Sequence, residues 1–169
     1  MCGIVSIHTS EHSLDDKSSQ LDDMLERILH RGPDSEGKVH VKNQVLLGHR
    51  RLAIIDLEHG QQPMVSEDNR YTLIFNGEIY NFRELRSKLN SEYSFQTNSD
   101  CEIILALYKE KGIDFIDDLN GIFGFVLFDE KKNEYLVARD HMGIIPLYMG
   151  WDKHGTFYVS SELKALEGV

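Results

Sequence analysis

Apolar residues recur along this chain in two rhythms. Residues 2–8, CGIVSIH, read as a short buried strand, and Leu21, Met24, Leu25 and Ile28 then fall at i, i+3, i+4 and i+7, one stripe of a helix. The loop HRGPDSEG (30–37) follows, punctuated by Pro33 and two glycines. VHV (39–41) and VLLGHRRLAII (45–55) read as strands around the turn KNQ, EHGQQP (58–63) as a loop, and YTLIFN (71–76) as a strand running into GEIYN. Leu85 and Leu89 mark a short helix, and Ile103, Ile104, Leu107 and Tyr108 a longer one ending near Gly112, with Ser99 and Asp100 as capping residues. Beyond residue 121 the rhythm becomes GFVLFDE, KKN, EYLVARD, then PLYMGWD, KHG, TFYVSSE, two hairpins with tight polar turns. Strands at both ends with helices between them predict an α+β domain; strict βαβ alternation, and with it a doubly wound parallel sheet, is missing.

With 169 residues the chain has the length of one domain with a single sizeable core. No apolar run reaches the length of about 18 residues that a membrane span requires. The start, MCGIVSIHTSEHS, lacks a basic region ahead of an apolar stretch, so no secretory signal is expected and the cytoplasm is the predicted location. The balance of 18 basic against 28 acidic residues, a formal charge of −10, excludes a nucleic-acid backbone or an anionic membrane as the expected partner. Two cysteines, Cys2 and Cys101, make no disulfide framework, and no CxxC or His-rich cluster points to a metal site.

Cys2 stands directly after the initiator methionine. Were Met1 removed, one residue would carry both a thiol, with a reference pKa of about 8.5, and an α-amine at about 7.7–8.0. The neutral amine can then take the thiol proton, so nucleophile and base come together, and Gly3 beside them leaves room for a substrate. A second constellation is NGE at 76–78: the Asn76 side-chain amide and the Gly77 N–H are the donor pair that acyl transfer aims at a developing oxyanion, although Asn-Gly is equally a common turn dipeptide. The third is charged. Arg51 interrupts an apolar strand and can hold a carboxylate through a bidentate contact, while Glu78 and Asp100 can hold an ammonium group. Strand alternation allows only one of Arg50 and Arg51 to face inward and does not say which. His30, His49 and His141 supply a rival Cys–His arrangement; Cys101, beside a helix start, reads as a buried thiol.

MCGI, HRGPD, HRRLAIID, QP, NGEIYN, FQTNSDCEIILALY, LNGIFGF and RDHMGIIPLYMG together resemble the class II (N-terminal nucleophile) glutamine amidotransferases, and within them the glutaminase domain of glutamine-hydrolysing asparagine synthetases. The matching stretches span nearly the whole chain, 1–169, in the family's order. The resemblance implies a four-layer αββα sandwich with Cys2 as nucleophile, Asn76 and Gly77 as the oxyanion hole, and Arg51 on the substrate carboxylate. It further implies that main-chain groups of Leu52, Ala53, Ile54 and Ile55 line the pocket, with Glu78 and Asp100 on the substrate amine. The implied reaction is hydrolysis of L-glutamine to glutamate and ammonia through a Cys2 thioester. A chain that keeps Met1 has an amide where the base should be and should not turn over.

The implied partner is an ATP-dependent synthetase domain that converts aspartate to asparagine. That domain is absent from this chain, which contains no SGGxDS or GxxxxGK[ST] loop. ATP and magnesium are therefore expected only there, and this domain is expected to need no cofactor. Hexosamine-phosphate or phosphoribosylamine synthesis is the alternative destination for the ammonia, a non-catalytic regulatory module is the alternative role, and a homodimer is left open. IFGFVLF reads as sheet core rather than tunnel wall, and HRGPDSEG and EHGQQP are glycine-bearing candidates for a lid.

Overall fold

The computed structural model describes residues 1–9, 17–53, 60–90 and 93–169. Among these, nine strands form two antiparallel sheets. The first holds β2 (Ser35–Val41), β3 (Val45–Arg51), β1 (Gly3–His8), β9 (Phe157–Ser160) and β8 (Tyr148–Trp151) in that order. The second holds β4 (Met64–Val65), β5 (Tyr71–Ile79), β6 (Gly121–Asp129) and β7 (Glu134–Arg139). Helix α1 is Ser18–Arg27, α2 is Phe82–Lys88 and α3 is Glu102–Lys111.

Period-two alternation sorts the strand side chains into three cores, and the cores define the layers. Val5, Ile7 and Leu46 of the first sheet pack on Leu21, Met24, Leu25 and Ile28, the predicted stripe of α1. Ile4, Val45 and Leu47 point the other way and meet Ile74, Val126 and Phe128 of the second sheet. The far face of that sheet, Leu73, Phe75, Phe125 and Leu127, is covered by Leu85 of α2 and by Ile103, Ile104 and Leu107 of α3. The result is the four-layer αββα sandwich. Phe123 to Phe128 of IFGFVLF are buried as core, while Ile122 is half-buried and borders a cavity.

Both predicted hairpins form: β6 pairs with β7 and β8 with β9, the former in the second sheet and the latter in the first. Four expectations need correction. The HRGPDSEG stretch is not all loop, because β2 already begins at Ser35. The strand beginning at Val45 leaves the ladder after Arg51; Leu52 and Ala53 turn their amides to Cys2 Sγ and Asp34 Oδ2 instead of to a neighbouring strand. Leu89 lies beyond α2 with an extended ψ of 132°. The N-cap of α3 is Cys101, whose side chain makes no capping bond; Ser99 Oγ meets the Cys101 thiol at 3.2 Å and Asp100 accepts the N–H of Ile79 at 2.7 Å. No helix among the described residues is long and apolar enough to cross a membrane.

Candidate active site

Alternation on β3 decides between the two arginines. Val45 and Leu47 face the second sheet, so His49 and Arg51 do too, and Arg51 is 5 % exposed. Arg50 points to the helix side, where its guanidinium meets the Leu25 carbonyl, Glu26 and Glu36. Cys2 continues the inward-facing positions of β1. Its Sγ lies 3.4 Å from the Leu52 N–H and donates to the Leu52 carbonyl at 3.6 Å. Arg31 holds the Cys2 carbonyl at 2.9 Å and is itself paired with Glu162 at 2.9 Å. Burial pushes the Cys2 thiol above its ordinary value, opposed by the Leu52 N–H and the charges of Arg51 and Arg31. A buried, mostly protonated thiol needs a base close by.

Asn76 and Gly77 do not form a turn. They lie inside β5, opposite Gly124 and Phe123 of β6, in a strand that runs on to Ile79. Tyr80 donates to Asn120, so even-numbered residues of β5 bond to β6 and odd-numbered ones aim their amides at the opposite edge. Beyond the short β4 no strand among the described residues covers that edge. Phe75 N–H goes to Gln62 Oε1 at 2.6 Å and Ile79 N–H to Asp100 Oδ2 at 2.7 Å, with the Gly77 N–H between them. Gly77 has φ +145°, and a Cβ there would sit 2.0 Å from the Ile122 carbonyl oxygen, so glycine is required. The Asn76 side chain is 1 % exposed, and neither its oxygen nor its nitrogen has a partner in the protein. An unpaired buried amide is costly, and the Asn76 Nδ2 is left free to donate to a group that enters the cavity.

Asp100 is buried, which raises its carboxyl despite the N–H groups it accepts; neighbouring Glu78 raises it further. Its loop is self-supporting. Glu102 accepts the N–H of Gln96 and of Thr97 and the Thr97 hydroxyl, at 2.6–2.8 Å. One cavity is lined by Cys2, Arg51, Leu52, Asn76, Gly77, Glu78 and Asp100, together with Met1, Gln62 and Cys101. Four separate stretches of sequence thus deliver seven of the ten predicted residues to one place. Ala53 does not line it, because its N–H is committed to Asp34; Ile54 and Ile55 lie outside the described residues. No group of residues with metal-binding geometry occurs among the described residues.

The histidines do not form a Cys–His pair. His30 bonds Glu162, His49 bonds the Phe75 carbonyl, and His141 is exposed; none lines the cavity. Cys101 is buried and its thiol is pushed up by that burial and by Asp100. Sequence reasoning missed the supporting groups, above all Arg31, Asp34 and Gln62. HRGPD was visible as a motif, yet its two working bonds, Arg31 to the Cys2 carbonyl and Asp34 to the Ala53 N–H, are made to backbone.

Glu162 gives a pH prediction. Burial would raise its carboxyl, but hydrogen bonds from Arg31, His30 and Lys164 prevail and bring it down to about 2. A depressed carboxyl contributes stability that is complete above its unfolded value, about 4.3, and is lost as pH falls towards the folded one. Wild type should therefore be more stable than Glu162→Gln to urea at pH 6, with the difference vanishing between pH 5 and about 2. A pH-independent difference would remove the charge from the account.

A family described as "Glutamine amidotransferase domain" matches residues 1–169. The chain is 48% identical over 164 residues to asparagine synthetase B [glutamine-hydrolyzing] of Escherichia coli (strain K12), covering 97% of this chain and 29% of that protein. It is 47% identical over 167 residues to the asparagine synthetase [glutamine-hydrolyzing] of Zea mays, covering 98% and 28%. With a probable asparagine synthetase [glutamine-hydrolyzing] of Dictyostelium discoideum the identity is 44% over 169 residues, covering 99% and 30%. The chain spans less than a third of the length of these relatives.

Proposed function

This chain belongs to the glutamine amidotransferase domain family, and from that premise we propose that it hydrolyses the side-chain amide of L-glutamine through a thioester on Cys2. The observation that carries the reading is the convergence on one cavity of a thiol, an unpaired buried amide, a buried arginine and two carboxylates. Arg51 takes the substrate carboxylate, and Asp100 with Glu78 takes its ammonium, which leaves the side-chain amide against Cys2. With Met1 removed, the Cys2 amine accepts the thiol proton, and the sulfur attacks the amide carbon. Asn76 and Gly77 donate to the oxygen that gains charge. The same amine, now protonated, delivers a proton to the leaving nitrogen, and ammonia departs. Water then hydrolyses the thioester to glutamate.

The relatives' names support a longer protein in which the ammonia reaches an aspartate-activating synthetase domain, with ATP and magnesium acting there and not here. The cytoplasm is the proposed location. Glutamate release from glutamine, measured beside the intact mass, tests the first step. Protein freed of Met1 should turn over and protein retaining it should not; full turnover with Met1 in place would remove the amine from the mechanism. Arg51→Ala should raise the KM for glutamine about 10–100-fold, the value of a hydrogen-bonded charge, with kcat changed far less. Arg50 is occupied by α1 and β2 and cannot substitute. An unchanged KM would deny Arg51 the carboxylate.

A further inference from the structure

We propose that Gln62 and His49 are positioning residues for the oxyanion hole, holding the main-chain N–H and C=O of Phe75 and thereby the strand segment that carries Asn76 and Gly77. This rests on the glutaminase reading and deepens it.

β4 stops short of the site. Its Met64 pairs with Leu73, and continuing that register would set residue 62 opposite Phe75. No strand is there, so both backbone groups of Phe75 on that edge would be bare in a buried setting, a costly state. Side chains replace the missing strand. Gln62 Oε1 accepts the Phe75 N–H at 2.6 Å, and His49 Nε2 donates to the Phe75 carbonyl at 3.2 Å. A carbonyl only accepts, so His49 carries its proton on Nε2. Burial, aided by the charge of Arg51 and opposed by the Phe75 bond, lowers the His49 pKa to about 4, which leaves the ring neutral at working pH.

Each clamp is itself fixed. His49 lies on β3 two positions before Arg51 and on the same face, so its bond crosses from the first sheet to the second. It ties the strand of the carboxylate clamp to the strand of the oxyanion donors. Gln62 is pressed against β2: a Cβ on Gly37 would lie 1.9 Å from the Gln62 carbonyl oxygen. Asn76 has no side-chain bond of its own to hold it. Its place therefore derives from its backbone, and Phe75 is the adjoining residue. A misplacement of about 1 Å in such a group costs about 100-fold in rate.

The test uses the full chain freed of Met1. Gln62→Met and His49→Met each remove the bond to Phe75, the former also a long contact from Gln62 Nε2 to the Cys101 thiol at 3.9 Å, whereas His49→Gln keeps an N–H donor near the Nε2 position. The two methionine variants should lower kcat about 10–100-fold with the KM for glutamine within about twofold of wild type. Inhibition by an aldehyde analogue of glutamine, which forms a tetrahedral adduct on Cys2, should weaken by the same factor. Inhibition by L-glutamate, which needs no oxyanion donor, should hold. His49→Gln should recover most of the loss. The proposal is overturned if KM rises while kcat holds, if both inhibitors weaken together, or if His49→Gln is no better than His49→Met. Gln62 is only half-buried, so Gln62→Met decides the matter should His49→Met fail to fold. Absence of turnover in wild type would defeat the glutaminase reading itself; turnover in wild type with kcat unmoved in the variants defeats the positioning role alone.

Discussion

Cys2→Ala is expected to reduce glutamate release by more than about 10⁴-fold, the scale on which removing a nucleophile acts, while glutamine still binds with a Kd within about threefold of wild type. Binding survives because Arg51, Asp100 and Glu78 belong to other segments, and Asp100 is held by the Ile79 N–H. Calorimetric titration with glutamine, beside the glutamate assay, separates the two effects. A glutamine-like electrophile should label wild type at position 2 and leave the variant unlabelled. Retained turnover would mean that another group attacks the amide; Cys101, its thiol pushed up by burial, is a poor substitute.

Asn76→Ala is expected to move rate and stability in opposite directions. Removing one oxyanion donor costs about 10²–10³ in kcat, with a small change in KM. The same substitution deletes two buried polar atoms that have no partner in the folded protein. Leaving such a group unpaired costs about 1–3 kcal/mol, so the urea midpoint should stay level or rise. The space vacated opens onto the cavity that Asn76 lines and makes no sealed void. A variant that loses activity and stability together would show that Asn76 supports the fold and is not held in reserve for the transition state.

The layers were legible because each depends on short-range rhythm. The α1 stripe, the alternation in β1 and β3 and the two polar-turned hairpins are local patterns, and packing had only to bring them together. The choice between Arg50 and Arg51 was not legible, since alternation gives two opposite faces and only α1 and the second sheet decide which is which. NGE was ambiguous for a related reason. As a dipeptide Asn76-Gly77 favours a turn, but seven further register pairs of β5 and β6 flank it and carry the strand straight through. The apolar run predicted strand at Leu52 and Ala53 because hydrophobicity does not reveal that these two spend their amides on Cys2 and Asp34. The positioning roles of Gln62 and His49 escaped notice, although QP stood among the matching stretches and His49 among the candidate bases. Their partners are main-chain atoms of Phe75, left open by the place where β4 ends, and a sequence pattern carries no record of that.

Met1 lines the cavity, and β1 runs between β3 and β9, pinned on both sides. The chain's leading end is thus steered towards that cavity. Any peptide fused upstream, a purification handle included, would behave as a tethered plug as well as masking the amine.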